Sequence, residues 1–322
     1  MKIAFTADLH IKLGQKNVPV SWAHIRYNLL IEALVAKSSA CEMLIIGGDI
    51  FDKVPSMEEL EIYYNLVGAL TVPTLVYPGN HESLKKDTTF FTYLKKVTSK
   101  INPLVVIVDE YYTHYVNDEA IFDIIPYNRL KQFEKEPTPF QANLLFTHVR
   151  GAIEPHVKPE VDLSIFERWQ TVLAGDLHSY ENSQRNILYP GSPVTTSFHR
   201  NPVDTGIIIF DTSSHTHTWE KLGLPQLIRK TIQAGEPMVP TTPDHTVYEI
   251  EGDLAQLGSI EDSDLIDKKV MKRETDTALI LDPKMSLQQE LDEYLTYILQ
   301  LSPEEIAAAI AILNDNLHKL DD

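Results

Sequence analysis

Met43-Leu-Ile-Ile-Gly-Gly-Asp-Ile-Phe-Asp52 opens on four apolar residues, passes through paired glycines and reaches two aspartates. Four apolar residues without polar alternation suit a strand covered on both faces. The glycines mark a tight exit from that strand, and Asp49 then stands just beyond its carboxyl end. The same grammar recurs along the chain. Apolar runs at Ile3 to Thr6, Thr74 to Tyr77, Leu144 to Phe146 and Thr171 to Ala174 are each followed by a short polar cluster. These clusters are Asp8-Leu-His10, Gly79-Asn-His-Glu82, Thr147-His148 and Gly175-Asp-Leu-His178. Further runs at Leu104 to Val108, Ile121 to Ile125 and Ile207 to Phe210 read as strands, and helical periodicity at Ile25 to Ala36 and Met57 to Leu70 fills gaps between them. An α/β architecture with helices packed on sheet follows. In open sheets, ligands sit at the carboxyl ends of strands, so the polar clusters are expected to converge on one site.

Carboxylates, one amide oxygen and imidazole nitrogens form a mixed donor set. It suits two divalent ions such as manganese, iron or zinc, with manganese first and magnesium possible, better than calcium or a thiolate-bound structural zinc. Two ions roughly 3.5 to 4 Å apart can share a carboxylate, lower the pKa of water and stabilise charge growing on a phosphoryl centre. Phosphoester hydrolysis is the expected chemistry. A lone Asp-x-His or a strand-ending Gly-Asp is usually plain turn chemistry; order and repetition carry the reading here. His81, beside Asn80, is expected to assist the leaving oxygen. The other histidines fit no cluster and read as surface or packing residues.

The ordered set Asp8/His10, Asp49, Asn80/His81, His148, Asp176/His178 resembles the calcineurin-like metallophosphoesterase superfamily. In detail it is similar to the nuclease subunit of the SbcCD-type double-strand-break repair complex. The resemblance rests on motifs over about residues 1 to 210 and on layout beyond. It implies a β-sandwich flanked by helices over residues 1–221, a small α+β capping domain over 222–283 and a helical hairpin over 284–322. It also implies one ion on Asp8, His10, Asp49 and His178 and a second on Asp49, Asn80, His148 and Asp176, with Asp49 bridging. Gly48-Asp-Ile-Phe-Asp52 resembles a family strand end in which Asp52 is supportive. Tyr189-Pro-Gly-Ser-Pro193 resembles a loop near the nucleotide, which points to Tyr189, Gly191 and Ser192. One position departs: the family usually has histidine where this chain has Asp176, a change that favours hard ions and weakens zinc.

Composition sets limits on partners. The formal charge of -18 over 322 residues works against tight non-specific binding to a phosphate backbone. Metals and a partner must then supply much of the grip on DNA. The single cysteine, Cys41, forms no internal disulfide, and no long apolar span interrupts the chain, so a cytoplasmic protein is expected with no membrane association. After Asp211-Thr-Ser-Ser214 and the proline- and threonine-rich stretch 235–243 the composition shifts, and Thr246 to Ile250 and Ala278 to Leu281 read as strands of the small second module.

Ser286 with Gln289, and Ser302 with Pro303 and Glu305, match capped helix starts. The first helix carries Leu287, Leu291, Leu295 and Ile298 on one stripe; the second carries Ile306, Ile310, Leu313, Leu317 and Leu320. Such stripes pack either on the chain itself or on a partner, and the resemblance implies docking to the coiled-coil base of an SbcC-like ATPase. It also implies a homodimer. Leu60, Tyr63, Leu66, Phe91 and Leu94 could serve that contact or the protein's own core.

The expected function is a metal-dependent DNA exonuclease with single-strand endonuclease activity, acting in repair, recombination or phage replication. Two other readings are a small-molecule phosphodiesterase acting on cyclic nucleotides and a non-catalytic scaffold for an ATPase. The first has no use for the Ile306 to Leu320 stripe, and the second none for a complete ligand set.

Overall fold

The computed structural model describes residues 1–85, 88–271, 285–299 and 301–317. The strands Lys2–Thr6, Met43–Gly47, Thr74–Tyr77 and Val105–Ile107 pair in parallel, in that order, and Gly206–Asp211 and Thr216–Lys221 extend the first strand antiparallel to give a six-stranded sheet. A second, five-stranded sheet runs Ile187–Leu188, Thr171–Gly175, Leu144–His148, Glu119–Ile125, Tyr112–Val116, with only the last strand antiparallel to its neighbour. All eight predicted strands over residues 3 to 210 are present, and the implied sandwich is the fold that forms.

Period-two alternation sorts each strand's side chains between layers. Phe5, Ile45, Tyr77, Phe122, Phe146 and Leu173 point between the two sheets, with Phe5 and Phe146 rings 5.3 Å apart. Ala4, Leu44, Ile46 and Val76 point the other way, onto the helices Val20–Ser38, Met57–Ala69 and Phe91–Ile101. Behind the second sheet, Leu145 and Val172 meet Phe133 of the helix Tyr127–Lys135 and the fully buried Trp169. Met57–Ala69 begins with a complete capping box of Ser56 and Glu59, which fixes where that helix enters the layer.

The apolar face considered for a homodimer is used internally. Tyr63, Leu66 and Phe91 are buried in the core, and Leu60 and Leu94 pack partly against it. The large apolar residues these helices leave exposed are Met57, Tyr93, Val97 and Ile101.

By contact the chain divides into two compact units, Met1–Ile250 with Glu261–Lys269, and Glu251–Ile260 with the chain from Val270 onward. Strands Leu227–Gln233 and His245–Gly252, the latter lying in the first unit as far as Ile250, form part of a three-stranded sheet. Leu227 N–H donates to Thr195 Oγ1 (2.9 Å), His245 Nε2 meets Asn17 O (2.6 Å), and Trp22 Nε1–H donates to Pro243 O (3.0 Å). The predicted strand Thr246 to Ile250 lies inside His245–Gly252; Ala278 to Leu281 lies outside the described residues.

In the second unit the helices Leu287–Glu293 and Pro303–Leu317 start where their caps predict, Ser286 capping the first. Leu295 and Ile306 are buried, Leu291, Ile310 and Leu313 half-buried, and Leu287 is 56% exposed. The Ile298 and Leu317 side chains and Leu320 lie outside the described parts. No helix among the described residues is long and apolar enough to cross a membrane.

Candidate metal centre

Both sheets end their parallel strands at the same edge of the sandwich, and that edge carries the predicted cluster. Asp8 and His10 follow the first strand, Asp49 the second, Asn80 and His81 the third, His148 closes Leu144–His148, and Asp176 and His178 follow Thr171–Gly175. The backbone turns sharply to present them: Asp8, His10, Asp49 and Asp176 all have positive φ, at 59°, 43°, 49° and 100°. Left-handed backbone is costly for residues with side chains, and it persists where the surroundings over-determine it. Gly48, at φ 87°, and Gly79 let two of these turns nearly touch, since a Cβ on Gly79 would collide with Asp49 Oδ1.

Three of the four imidazoles are hydrogen-bonded through Nδ1 and turn Nε2 inward. His148 Nδ1–H donates to Gly47 O (2.8 Å), His178 Nδ1 meets Thr196 Oγ1 (3.1 Å), and His81 Nδ1–H donates to Asp52 O (2.5 Å). His10 Nδ1 faces Asp52 Oδ1 at 3.6 Å. Outer partners of this kind fix tautomer and ring direction in metal sites. The Nε2 atoms therefore crowd the centre. His10 Nε2 and His178 Nε2 stand 3.0 Å apart, and His148 Nε2 lies 2.9 Å from Asn80 Oδ1 and 3.4 Å from Asp49 Oδ2. Three triads of donor atoms, each within 4.8 Å, form among the described residues: Asp8/His10/His178, His10/Asp49/His81 and Asp8/Asp49/His148.

Asn80 tests whether this cage fits cations. Turned one way, its amide nitrogen would donate to His148 Nε2 and both Asp49 oxygens; as it stands, its oxygen faces those same acceptor atoms. An amide, a carboxylate and an imidazole that converge on one point offer the mixed oxygen and nitrogen donors that a divalent cation takes. The donor set combines carboxylate and amide oxygens with imidazole nitrogens, which fits hard or borderline divalent metals.

Electrostatics agree. Burial pushes the Asp8 carboxyl well above the usual carboxylate range, against the pull of His148. Burial would raise Asp49 as well, but His148, His10 and His81 hold it well below that range. His148, which burial would keep neutral, is held well above its ordinary value by Asp49 and Asp8, whereas burial and His10 press His178 down to about 4.

The supporting residues divide cleanly. Asp52 touches His10, takes Lys12 Nζ at 2.8 Å and is held below the usual range by them. Ser192 Oγ–H lies 2.7 Å from Asp8 O, Gly191 packs its positive-φ backbone on His178 O, and Tyr189 is fully buried with its hydroxyl donating to Val149 O (3.1 Å). That loop packs behind Asp8 and His178.

Two residues escaped the sequence reading. Glu82, fully buried, accepts N–H bonds from Asp49 (2.9 Å), Phe51 (3.1 Å) and Gly79 (2.8 Å), tying two ligand loops together. Its place directly after Asn80-His81 was the available signal. Arg150, two residues past His148, reaches Asp176; nothing local in the sequence marks it. A cavity of about 590 Å³ opens beside His178, lined among others by Tyr180, Asn182, Thr196 and Trp219.

Two stacked sheets with this cage at their shared edge define the class: the chain belongs to the calcineurin-like phosphoesterase family, whose profile matches residues 1–218, and it is a hydrolase of phosphoester bonds. Along 97% of its length, and 97% of the relative's, it is 42% identical to a protein of Escherichia phage T5 named probable exonuclease subunit 1. Among solved structures it is similar to an archaeal phosphodiesterase (15% identity, 69% of this chain and all of that one, TM-score 0.38). A Thermus thermophilus protein shows 10% identity over 68% of this chain and 98% of its own, with TM-score 0.41.

Proposed function

We propose that the protein is the nuclease subunit of an ATPase–nuclease complex, a manganese-dependent phosphodiesterase, with magnesium as the alternative ion, that degrades DNA from an end and cuts single strands internally. The observation that carries this reading is the convergence of Asp8, His10, Asp49, Asn80, His148 and His178 at one edge, with donor atoms facing one another. Kinship with a phage exonuclease subunit supports DNA as substrate.

Divalent ions on Asp8, His10, Asp49 and His178 and on Asp49, Asn80, His148 and Asp176 would supply Lewis acidity and lower the pKa of water. The rest is the work of side chains. His81 commits Nδ1 to Asp52 O and keeps Nε2, 3.8 Å from Asp49 Oδ2, on the open side of the centre, where its side chain is 34% exposed. From there it gives a proton to the departing ester oxygen. The cavity beside His178 has the size to take a nucleotide, and Tyr180 and Trp219 offer aromatic surface for a base.

Residues 222–283 act as the cap that places DNA, and 284–322 as the segment that docks on a coiled-coil ATPase. The half-buried Ile310, in a groove lined also by Leu301, Ile306 and Ala307, supports the docking role. A homodimer completes the assembly. The test is degradation of end-labelled linear duplex DNA with manganese, comparing wild type, Asp49→Asn and His81→Ala, each with and without the coiled-coil ATPase. Loss of cutting in both variants, with ATP-dependent stimulation of wild type, is the expected result. Intact DNA beside turnover of bis-p-nitrophenyl phosphate or a cyclic nucleotide would make the substrate a small molecule.

A further inference from the structure

We infer that Arg150 and Asp176 act as one unit in the second ion's site, the guanidinium aiming the carboxylate and cancelling its charge. The inference rests on the two-ion reading above. Arg150 Nε–H donates to Asp176 Oδ2 (3.1 Å) and Nη2–H donates to Oδ1 (3.2 Å), a fork gripping both oxygens. The Asp176 side chain is only 5% exposed, and the 44% exposed Arg150 side chain covers it from the solvent side. Both partners are pinned through their backbones as well. Arg150 N–H donates to the Glu160 carboxylate (3.2 Å), and Asp176 N–H donates to both oxygens of Asp8 (3.1 and 3.2 Å). Oδ1 is the oxygen that faces the centre, 3.9 Å from His148 Nε2.

Charge explains the pairing. A histidine at position 176 would bring a neutral donor; aspartate brings a negative one, and Arg150 returns the total to that of the imidazole. The unit keeps a hard oxygen ligand without overloading a cage already built on Asp8 and Asp49. Removing one partner of such a pair leaves an uncompensated charge beside the other. Asp176→His would leave a bare guanidinium next to a cation, and Arg150→Gln in the same chain would relieve it. The two positions are therefore coupled.

Calorimetric titration of manganese into metal-stripped protein tests this on wild type, Asp176→His, Arg150→Gln and the double variant, with circular dichroism checking each fold. Wild type binds two ions. Asp176→His weakens the second ion about ten-fold or more, the double variant recovers most of that loss, and the first ion's affinity stays within about three-fold throughout. If Asp176→His does not fold, Asp176→Asn runs the same cycle. Two ions in wild type with costs that simply add, or a first ion disturbed as much as the second, would overturn the pairing while leaving the two-ion reading intact. A wild type that binds one ion would overturn both.

Discussion

The sandwich edge and the C-terminal hairpin are built on opposite terms. At the edge, side chains converge from five strands, Asp8, His10, Asp49 and Asp176 at positive φ, and hydrogen bonds from behind hold several of them: Gly47 O behind His148, Thr196 behind His178, Asp52 O behind His81, Glu82 behind Asp49. In the hairpin, helices begin where local caps put them, Leu295 and Ile306 are the buried apolar residues among those described, and Leu287 stays half in solvent. An over-determined site holds reacting geometry; an under-packed surface leaves apolar area for something else to cover. Variants in the first region should damage chemistry or folding, and variants in the second should damage association alone.

The largest effect is expected from Asp49→Asn. Losing the shared carboxylate should lower phosphodiester turnover about 10³-fold or more, measured with bis-p-nitrophenyl phosphate and manganese. His81→Ala should cost about 10²-fold in kcat while calorimetric manganese affinity is kept, which separates proton transfer from metal binding. Glu82→Ala strands three buried N–H groups, so urea denaturation should show a loss of roughly 3 kcal/mol and manganese affinity should fall about ten-fold. Unchanged stability there would mean that the two ligand loops hold themselves. Smallest in the isolated chain is Ile310→Asp: stability should move by no more than about 0.5 kcal/mol, with turnover of the small ester unchanged. Pull-down of the ATPase and ATP-stimulated DNA degradation should both be lost. Full retention of both would show that the hairpin is not the docking surface.

Most of the edge could be read from sequence because its signals are local. An apolar run followed by Gly-Asp, Asn-His or Asp-Leu-His states strand, exit and donor within a few residues. What lies between distant segments could not be read. Alternation shows that Ile45 and Phe146 each belong to a buried face, yet it does not say that they meet across two sheets. The Arg150 fork depends on a contact across 26 residues, and the Glu82 bonds on contacts to residues about 30 positions away. Tyr63, Leu66 and Phe91 show the same limit from the other side. A helical stripe announces burial, and only the packed structure shows that this one is covered by the chain's own core.

Anomalous diffraction at the manganese edge, from crystals soaked in manganese, tests the central claim most directly. Two peaks flanking the Asp49 carboxylate are predicted, one contacting Asp8, His10 and His178 and the other Asn80, His148 and Asp176. A single peak away from Asp49, or none at this edge of the sandwich, would contradict a two-ion phosphodiesterase.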